Sequence, residues 1–353
     1  MSRHVLVVRQ DSAGDVLLAG PAIRAVATKA ERVTLLCGRR GRTAADLLPG
    51  VDAIVEHTAP WIDPEPEPLD RAATLAFVDE LAALAVDEAL VFTSFHQSPL
   101  PLALLLRLAG VPTIAAYSDD YPGSLLDVRL RDPGDVHEVE RALTLAASLG
   151  HKLPPADDRH LAVRRPGGEP PVDPPYVVVH PGTSAAARAW PPERHRELVR
   201  ELAARGARVA VTGSAEEREL TGFVAGGDAL ELAGALTFAE LADVLAGAEA
   251  VVVGNTGPAH LAAAVGTPVV SLFAPTVPAA RWRPWGVPLV LLGDQAAPCA
   301  GTRATTCPVP GHPCLASVTA DDVLEALARV VSRGAPLAEP PGARDDLAVG
   351  AQA

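Results

Sequence analysis

Val251-Val252-Val253-Gly254-Asn255-Thr256-Gly257-Pro258-Ala259-His260-Leu261-Ala262-Ala263-Ala264, followed by Gly266-Thr267-Pro268-Val269-Val270-Ser271-Leu272-Phe273, reads as strand, tight turn, helix and strand. A β-branched apolar run ends at Gly254, polar residues occupy the turn, and Pro258 takes a first-turn position where its missing N–H costs nothing. A helix that starts this way, at the carboxyl end of a buried parallel strand, presents free backbone N–H groups and is a natural seat for a phosphate-bearing ligand. Thr256 can add a hydroxyl donor there, and His260 lies one turn inside.

The beginning of the chain repeats the pattern. Val5 to Arg9 reads as a buried strand, Gln10 to Asp15 as a polar, glycine-bearing turn, and Val16 to Ala30 as a helix with apolar residues at helical spacing. Further strands are expected at Val33 to Cys37, Ala53 to Glu56, Glu88 to Phe92 and Thr113 to Tyr117, with helices at Arg71 to Ala85, Pro101 to Ala109 and Asp135 to Leu149. Prolines and glycines then crowd the chain from Pro154 to Pro175, a density that excludes regular structure and marks a linker. The alternation restarts with a strand at Tyr176 to His180, a helix at Pro192 to Arg205, a strand at Arg208 to Thr212, and helices at Glu216 to Ala225 and Phe238 to Ala246. The last helix is expected at Asp321 to Val331. The expected organisation is therefore α/β, with a Rossmann-like doubly wound domain over 1–153, a linker over 154–175, a second such domain over 176–333 and a disordered tail over 334–353.

Bulk properties narrow the function. With 353 residues, 48% of them hydrophobic, the chain has core enough for two domains. Its net charge of −13 argues against broad nucleic-acid binding, which needs clustered Lys and Arg. Lysine occurs only as Lys29 and Lys152, which disfavours Schiff-base chemistry, and no Walker A pattern exists. The most apolar stretch, Leu100 to Val111, is too short to span a bilayer and carries Arg107. The N-terminus lacks the features of a secretory signal, so a cytoplasmic location is expected, with at most peripheral contact at the inner face of the membrane.

The Gly14-Asp15 turn, His180-Pro181-Gly182-Thr183 with Arg188-Ala189-Trp190-Pro191, Gly213 to Glu217, and Gly254 to His260 with Gly266-Thr267-Pro268 occur in one order and spacing. In these motifs the chain resembles glycosyltransferase family 9, the ADP-heptose:lipopolysaccharide heptosyltransferases. The resemblance implies a GT-B architecture: two Rossmann-like domains facing across a cleft, the first holding the acceptor and the second the nucleotide sugar. It further implies a metal-independent, inverting transfer of a heptose or related sugar, from ADP-heptose, to a hydroxyl of a glycan or glycolipid such as the lipopolysaccharide core, with no cofactor. Two other classes stay open: a nucleotide-sugar epimerase of the same architecture, and a silent nucleotide-sugar-binding protein.

By the same resemblance Asp15 is the base for the acceptor hydroxyl, although a helix N-terminus favours the ionised form and weakens a carboxylate as a base. Asp11 is the alternative base, and helix capping the alternative role for Asp15. Thr183, Ser184 and Arg188 are expected at the donor phosphates, with Arg188 standing where the family usually has lysine. Thr256, Gly257 and their helix complete that site. Glu216 or Glu217 is expected at the ribose. Asn255 replaces the family's common aspartate near the sugar, and His260 either touches phosphate or fixes the loop. Ser12, Gly14 and His96 are the acceptor-side candidates, with Thr93 to Ser98 facing the cleft and Arg39, Arg40 and Arg42 forming a basic cluster suited to an anionic, lipid-linked acceptor. Cys299, Cys307, His312 and Cys314 could hold zinc, yet their spacing lacks a tight C-x2-C knuckle, so no metal is assigned.

Overall fold

Runs such as Val5 to Val8 and Val251 to Val253 are apolar at every position, which suits a strand only when both faces are covered. In the structure, a computed structural model describing residues 3–332, these runs are fully buried central strands. The first sheet contains β1 (His4–Arg9), β2 (Arg32–Cys37), β3 (Ala53–Glu56), β4 (Glu88–Val91), β5 (Thr113–Tyr117) and β6 (Val128–Leu130). Its order is β3-β2-β1-β4-β5-β6 and every pairing is parallel. The second contains β7 (Tyr176–His180), β8 (Arg208–Val211), β9 (Leu230–Glu231), β10 (Ala250–Gly254), β11 (Val269–Leu272) and β12 (Leu289–Leu292), ordered β12-β11-β10-β7-β8-β9, again all parallel. Each sheet is doubly wound. Its strand order reverses once, between β1 and β4 and between β7 and β10, and at such a switch point a crevice opens beyond the carboxyl ends of the strands.

Between Ser148 and Tyr176 the chain forms neither helix nor strand. The tail over 334–353, expected to be disordered, lies outside the described residues. No helix among the described residues is long and apolar enough to cross a membrane.

Three local differences from the sequence reading have physical causes. The single helix expected from Val16 is two, Ala13–Leu18 and Gly20–Ala27, because Pro21 lacks the N–H that would bond back to Leu17 and so starts a new helix. The helix expected from Glu216 opens as a 3-10 turn, Ala215–Glu217, before the α-helix Arg218–Ala225. The sequence reading contains no strand at β6, β9 or β12, edge strands without a fully buried residue; β6 and β9, three and two residues long, are too short for an apolar run to show.

Candidate active site

The two switch points face each other. The loop Gln10–Ser12 follows β1 and leads into the helix Ala13–Leu18; across the gap, β10 leads through Asn255 and Thr256 into the helix Gly257–Ala264. These two helix starts touch. A Cβ on Gly14 would lie 2.8 Å from His260 Cδ2 and 3.4 Å from the Gly257 Cα, so only glycine permits this approach. Gly14→Ala is accordingly expected to cost about 1–3 kcal/mol through overpacking, read as a lower melting temperature. His260→Ala in the same protein should recover most of that loss, a coupling a thermal-melt double-mutant cycle would measure.

Asp15 sits at the centre. Its Oδ1 accepts from Arg9 Nη2 at 2.9 Å and from Trp282 Nε1 at 3.1 Å, while its Oδ2 accepts from the Ser12 hydroxyl at 2.7 Å and the Ser12 N–H at 3.4 Å. The carboxylate therefore also caps its own helix. Burial disfavours its charge, but the Arg9 guanidinium and the donors from Ser12 and Trp282 outweigh that and hold Asp15 below the usual aspartate range. Asp11 shares the same guanidinium at 2.8 Å and accepts from Ser94 Oγ at 3.0 Å and Gln97 Nε2 at 2.6 Å. There burial wins and, with Asp15 as a like charge, pushes the Asp11 carboxyl up. Two neighbouring carboxyls are thus driven apart in acidity, and Asp15 is the one kept ionised.

Arg9 itself is 3% exposed and also faces Glu138 Oε2 at 3.3 Å. Sequence reasoning missed it as a site residue, although a charge closing an otherwise apolar buried strand is a signal. It missed Trp282 as well; two of the chain's four tryptophans fall within Arg281–Trp285, a concentration in a loop that marks a contact surface.

On the other side of the cleft, Arg188 ends a 3-10 turn, Ala186–Arg188, after β7. It is half-buried, makes no salt bridge among the described residues, and its buried Nε has no hydrogen-bond partner. Burial lowers its pKa, opposed by the Asp15 carboxylate and reinforced by Arg303, a second cation from the loop 295–312 that sequence reasoning also missed. Thr256 is the N-cap of the helix Gly257–Ala264 but provides no side-chain cap; Pro258 has no N–H and the Ala259 N–H bonds the Thr256 carbonyl at 3.1 Å, so among the described residues the N–H groups of Thr256 and Gly257 are the ones open to an acceptor. Asn255 is buried beside it. Burial brings the His260 imidazole down to about 4, despite nearby Asp15, so it is neutral at pH 7; its Nδ1 has no partner.

Other expected residues are placed differently. The Thr183 hydroxyl donates to the Ala185 carbonyl at 2.8 Å, so its proton is committed, and Ser184 is exposed. Of the two glutamates, Glu217 turns inward: its carboxylate accepts from the Ser214 N–H at 2.8 Å and packs directly over Gly182 and Gly213, whereas Glu216 is exposed. His96 stands at the rim, its ring edge-on to Phe95 at 5.3 Å. Arg39, Arg40 and Arg42 of the basic cluster are all exposed. Arg42 pairs with Asp46 at 3.1 Å and lies 3.8 Å from Glu56, and Arg39 lines a cavity of about 360 Å³ whose other charged walls are Asp63, Glu65, Glu67 and Asp70. Among the described residues no group of three or more His, Cys, Asp or Glu is arranged to hold a metal. His312 Nε2 is engaged with the Ala187 carbonyl at 3.1 Å, and the buried Cys314 thiol is pushed up to about 11 by burial and by Cys299.

Residues 81–312 match the family model described as glycosyltransferase family 9 (heptosyltransferase). The chain is 40% identical over 182 residues to lipopolysaccharide heptosyltransferase 1 of Pseudomonas aeruginosa, covering 48% of each protein. It is 34% identical over 146 residues to lipopolysaccharide heptosyltransferase 1 of Salmonella typhimurium, covering 40% of this chain and 46% of that one. The matched stretch thus spans about half the length of these curated relatives. The fold matches E. coli ADP-heptose lps heptosyltransferase II with a TM-score of 0.72 at 20% identity, over 94% of this chain and 99% of that one. It also matches E. coli heptosyltransferase WaaC with ADP-2-deoxy-2-fluoro heptose, with a TM-score of 0.69 at 21% identity, over 92% and 99%. Both sheets and the cleft between them therefore follow the GT-B plan.

Proposed function

The chain belongs to glycosyltransferase family 9, and from that premise we propose that it moves a heptose or closely related sugar from a nucleoside diphosphate to a hydroxyl of a glycan or lipid-linked saccharide, with inversion and without a metal. One observation carries the reading: an ionised carboxylate, Asp15, and a half-buried cation without a salt-bridge partner among the described residues, Arg188, lie on opposite sides of the two switch points and within electrostatic reach of each other.

The chemistry follows from that pair. Cleaving the bond between sugar and diphosphate builds charge on the departing phosphate oxygen. Arg188 and the N–H groups of Thr256 and Gly257 supply fixed positive charge where it develops, and they need no reorganisation to do so. The acceptor hydroxyl attacks from the opposite face and gives its proton to Asp15. A depressed pKa makes Asp15 a weak base at equilibrium, so proton transfer comes late, once the forming bond has made the hydroxyl acidic. Glu217 is the glutamate placed to meet the ribose, since it is the one folded over the Gly182 loop. The ADP and ADP-sugar complexes of WaaC support adenosine diphosphate as the carrier, and the relatives' names support a lipopolysaccharide acceptor.

The test is incubation with ADP-heptose and candidate acceptors in excess EDTA, following ADP release and product mass. ADP released one-for-one with glycosylated acceptor supports the reading. A covalent sugar adduct on the protein, detected by intact mass, would sink single displacement. Conversion of the donor without any acceptor would favour an epimerase.

A further inference from the structure

The short helix Ala279–Trp282 belongs to the second domain but spends its polar contacts on the first. Arg281 Nη2 lies 2.9 Å from Asp132 Oδ2, its Nε lies 2.8 Å from Asp135 Oδ1, and its Nη1 lies 3.8 Å from Glu138 Oε1. Its neighbour Trp282 donates its indole N–H to Asp15 Oδ1 at 3.1 Å. One residue on, the Arg283 carbonyl accepts from His137 Nε2 at 2.9 Å. Arg281 and Trp282 also rest on the same ring: the guanidinium stands 4.6 Å from the Phe95 centroid, and the indole 5.7 Å from it.

We propose that Trp282 is a positioning residue for Asp15 and that Arg281 is the latch that sets it there, so that the carboxylate gains its complete set of donors only when the two domains are together. This rests on the reading of Asp15 as the base, but the contact itself does not. Among the donors to Asp15, Ser12 and Arg9 come from its own domain and only Trp282 from the other. Arg9 cannot fix the carboxylate alone, because the same Nη2 also serves Asp11 at 2.8 Å and Ser94 Oγ at 3.0 Å. The indole donor is rigid and 9% exposed, and it engages a single acceptor. The Arg281 side chain is 4% exposed, while every carboxylate paired with it lies in the first domain. Three first-domain carboxylates around one second-domain guanidinium specify how the helix Ala279–Trp282 docks, a gain in geometry more than in stability.

The experiment reads the indole N–H resonances of Trp61, Trp190, Trp282 and Trp285 in wild type and Asp15→Asn, and then across pH. Asp15 is also faced by Arg9 and Asp11 from β1 and its loop, Glu138 from the helix Glu138–Ser148, His260 from the helix Gly257–Ala264, and His96 and Arg188 from the rims. The Trp282 signal should shift on Asp15→Asn and titrate with the carboxylate, while buried Trp190, bonded to the Val318 carbonyl, stays still. This readout holds even if no transfer activity is found, so it separates failure of the contact from failure of the functional reading. In the transfer assay, Trp282→Phe should lower kcat about tenfold, the equivalent of one lost charge-assisted hydrogen bond, with donor KM changed less than about threefold. Its acid limb should move to higher pH, because the lost N–H had favoured the ionised form. A Trp282 resonance blind to Asp15→Asn overturns the proposal, as does a Trp282→Phe enzyme with wild-type kcat and an unmoved acid limb.

Discussion

Asp15→Asn is expected to lower kcat for sugar transfer by about 10²–10⁴-fold, the range for loss of a positioned general base, while the Kd for the nucleotide sugar stays within about twofold. The amide keeps the size of the carboxylate; its oxygen can accept from Arg9 and Trp282 while its NH2 donates to the Ser12 hydroxyl oxygen, so the loop should hold its shape. What disappears is the proton acceptor. The pH profile gives an independent reading of the same group. Burial opposes ionisation of Asp15, but Arg9, Ser12 and Trp282 reverse that and depress its pKa. A depressed value means the working, ionised form is present above it and is lost only as pH falls through it. The acid limb of kcat should therefore lie below the ordinary aspartate range and vanish in Asp15→Asn. Asp11 makes the opposite forecast, since burial pushes its carboxyl up. If Asp11 were the base, Asp11→Asn would abolish transfer, Asp15→Asn would spare it, and the limb would sit at higher pH.

Arg188→Ala is expected to reduce kcat by about 10²–10³-fold, the cost of removing one preorganised donor from a developing oxyanion, and to weaken donor binding as well. Its effect on the unliganded protein should run the other way. Arg188 is half-buried with no anionic partner among the described residues, and its Nε is unbonded, so truncating it relieves a desolvated charge. The melting temperature should hold steady or rise as activity falls. That pairing of opposite effects marks a residue kept for a ligand. Arg188→Lys should recover part of the rate, since it keeps the charge but loses the bidentate fork.

The fold was legible because the central strands are long apolar runs punctuated by glycine and polar turns. β1, β7, β10 and β11 announce themselves in Val5 to Val8, Tyr176 to Val179, Val251 to Val253 and Val269 to Leu272. The edge strand β3 was legible at Ala53 to Glu56, whereas β6 and β9 are only three and two residues long, too short for any pattern to separate them from loop. The break at Gly20-Pro21 was a signal passed over. At the site, residues within the turns could be named, because a turn at the carboxyl end of a parallel strand has a known orientation. Contacts made across the domain gap could not. Trp282 is 267 positions from Asp15, and Arg281 is 149 from Asp132; no local pattern joins them. The local density of Arg39, Arg40 and Arg42 suggested an anion site; that Arg39 shares a cavity with Asp63, Glu65, Glu67 and Asp70 could not be read from it.

The most direct test of the account is calorimetric titration of the purified protein, in EDTA, with ADP-heptose, ADP, UDP and GDP. The account predicts binding of the adenosine compounds over UDP and GDP, retained in Asp15→Asn and sharply weakened in Arg188→Ala. Absence of binding, or binding indifferent to Arg188→Ala, would contradict the claim that the cleft between the two switch points holds the diphosphate of a nucleotide sugar.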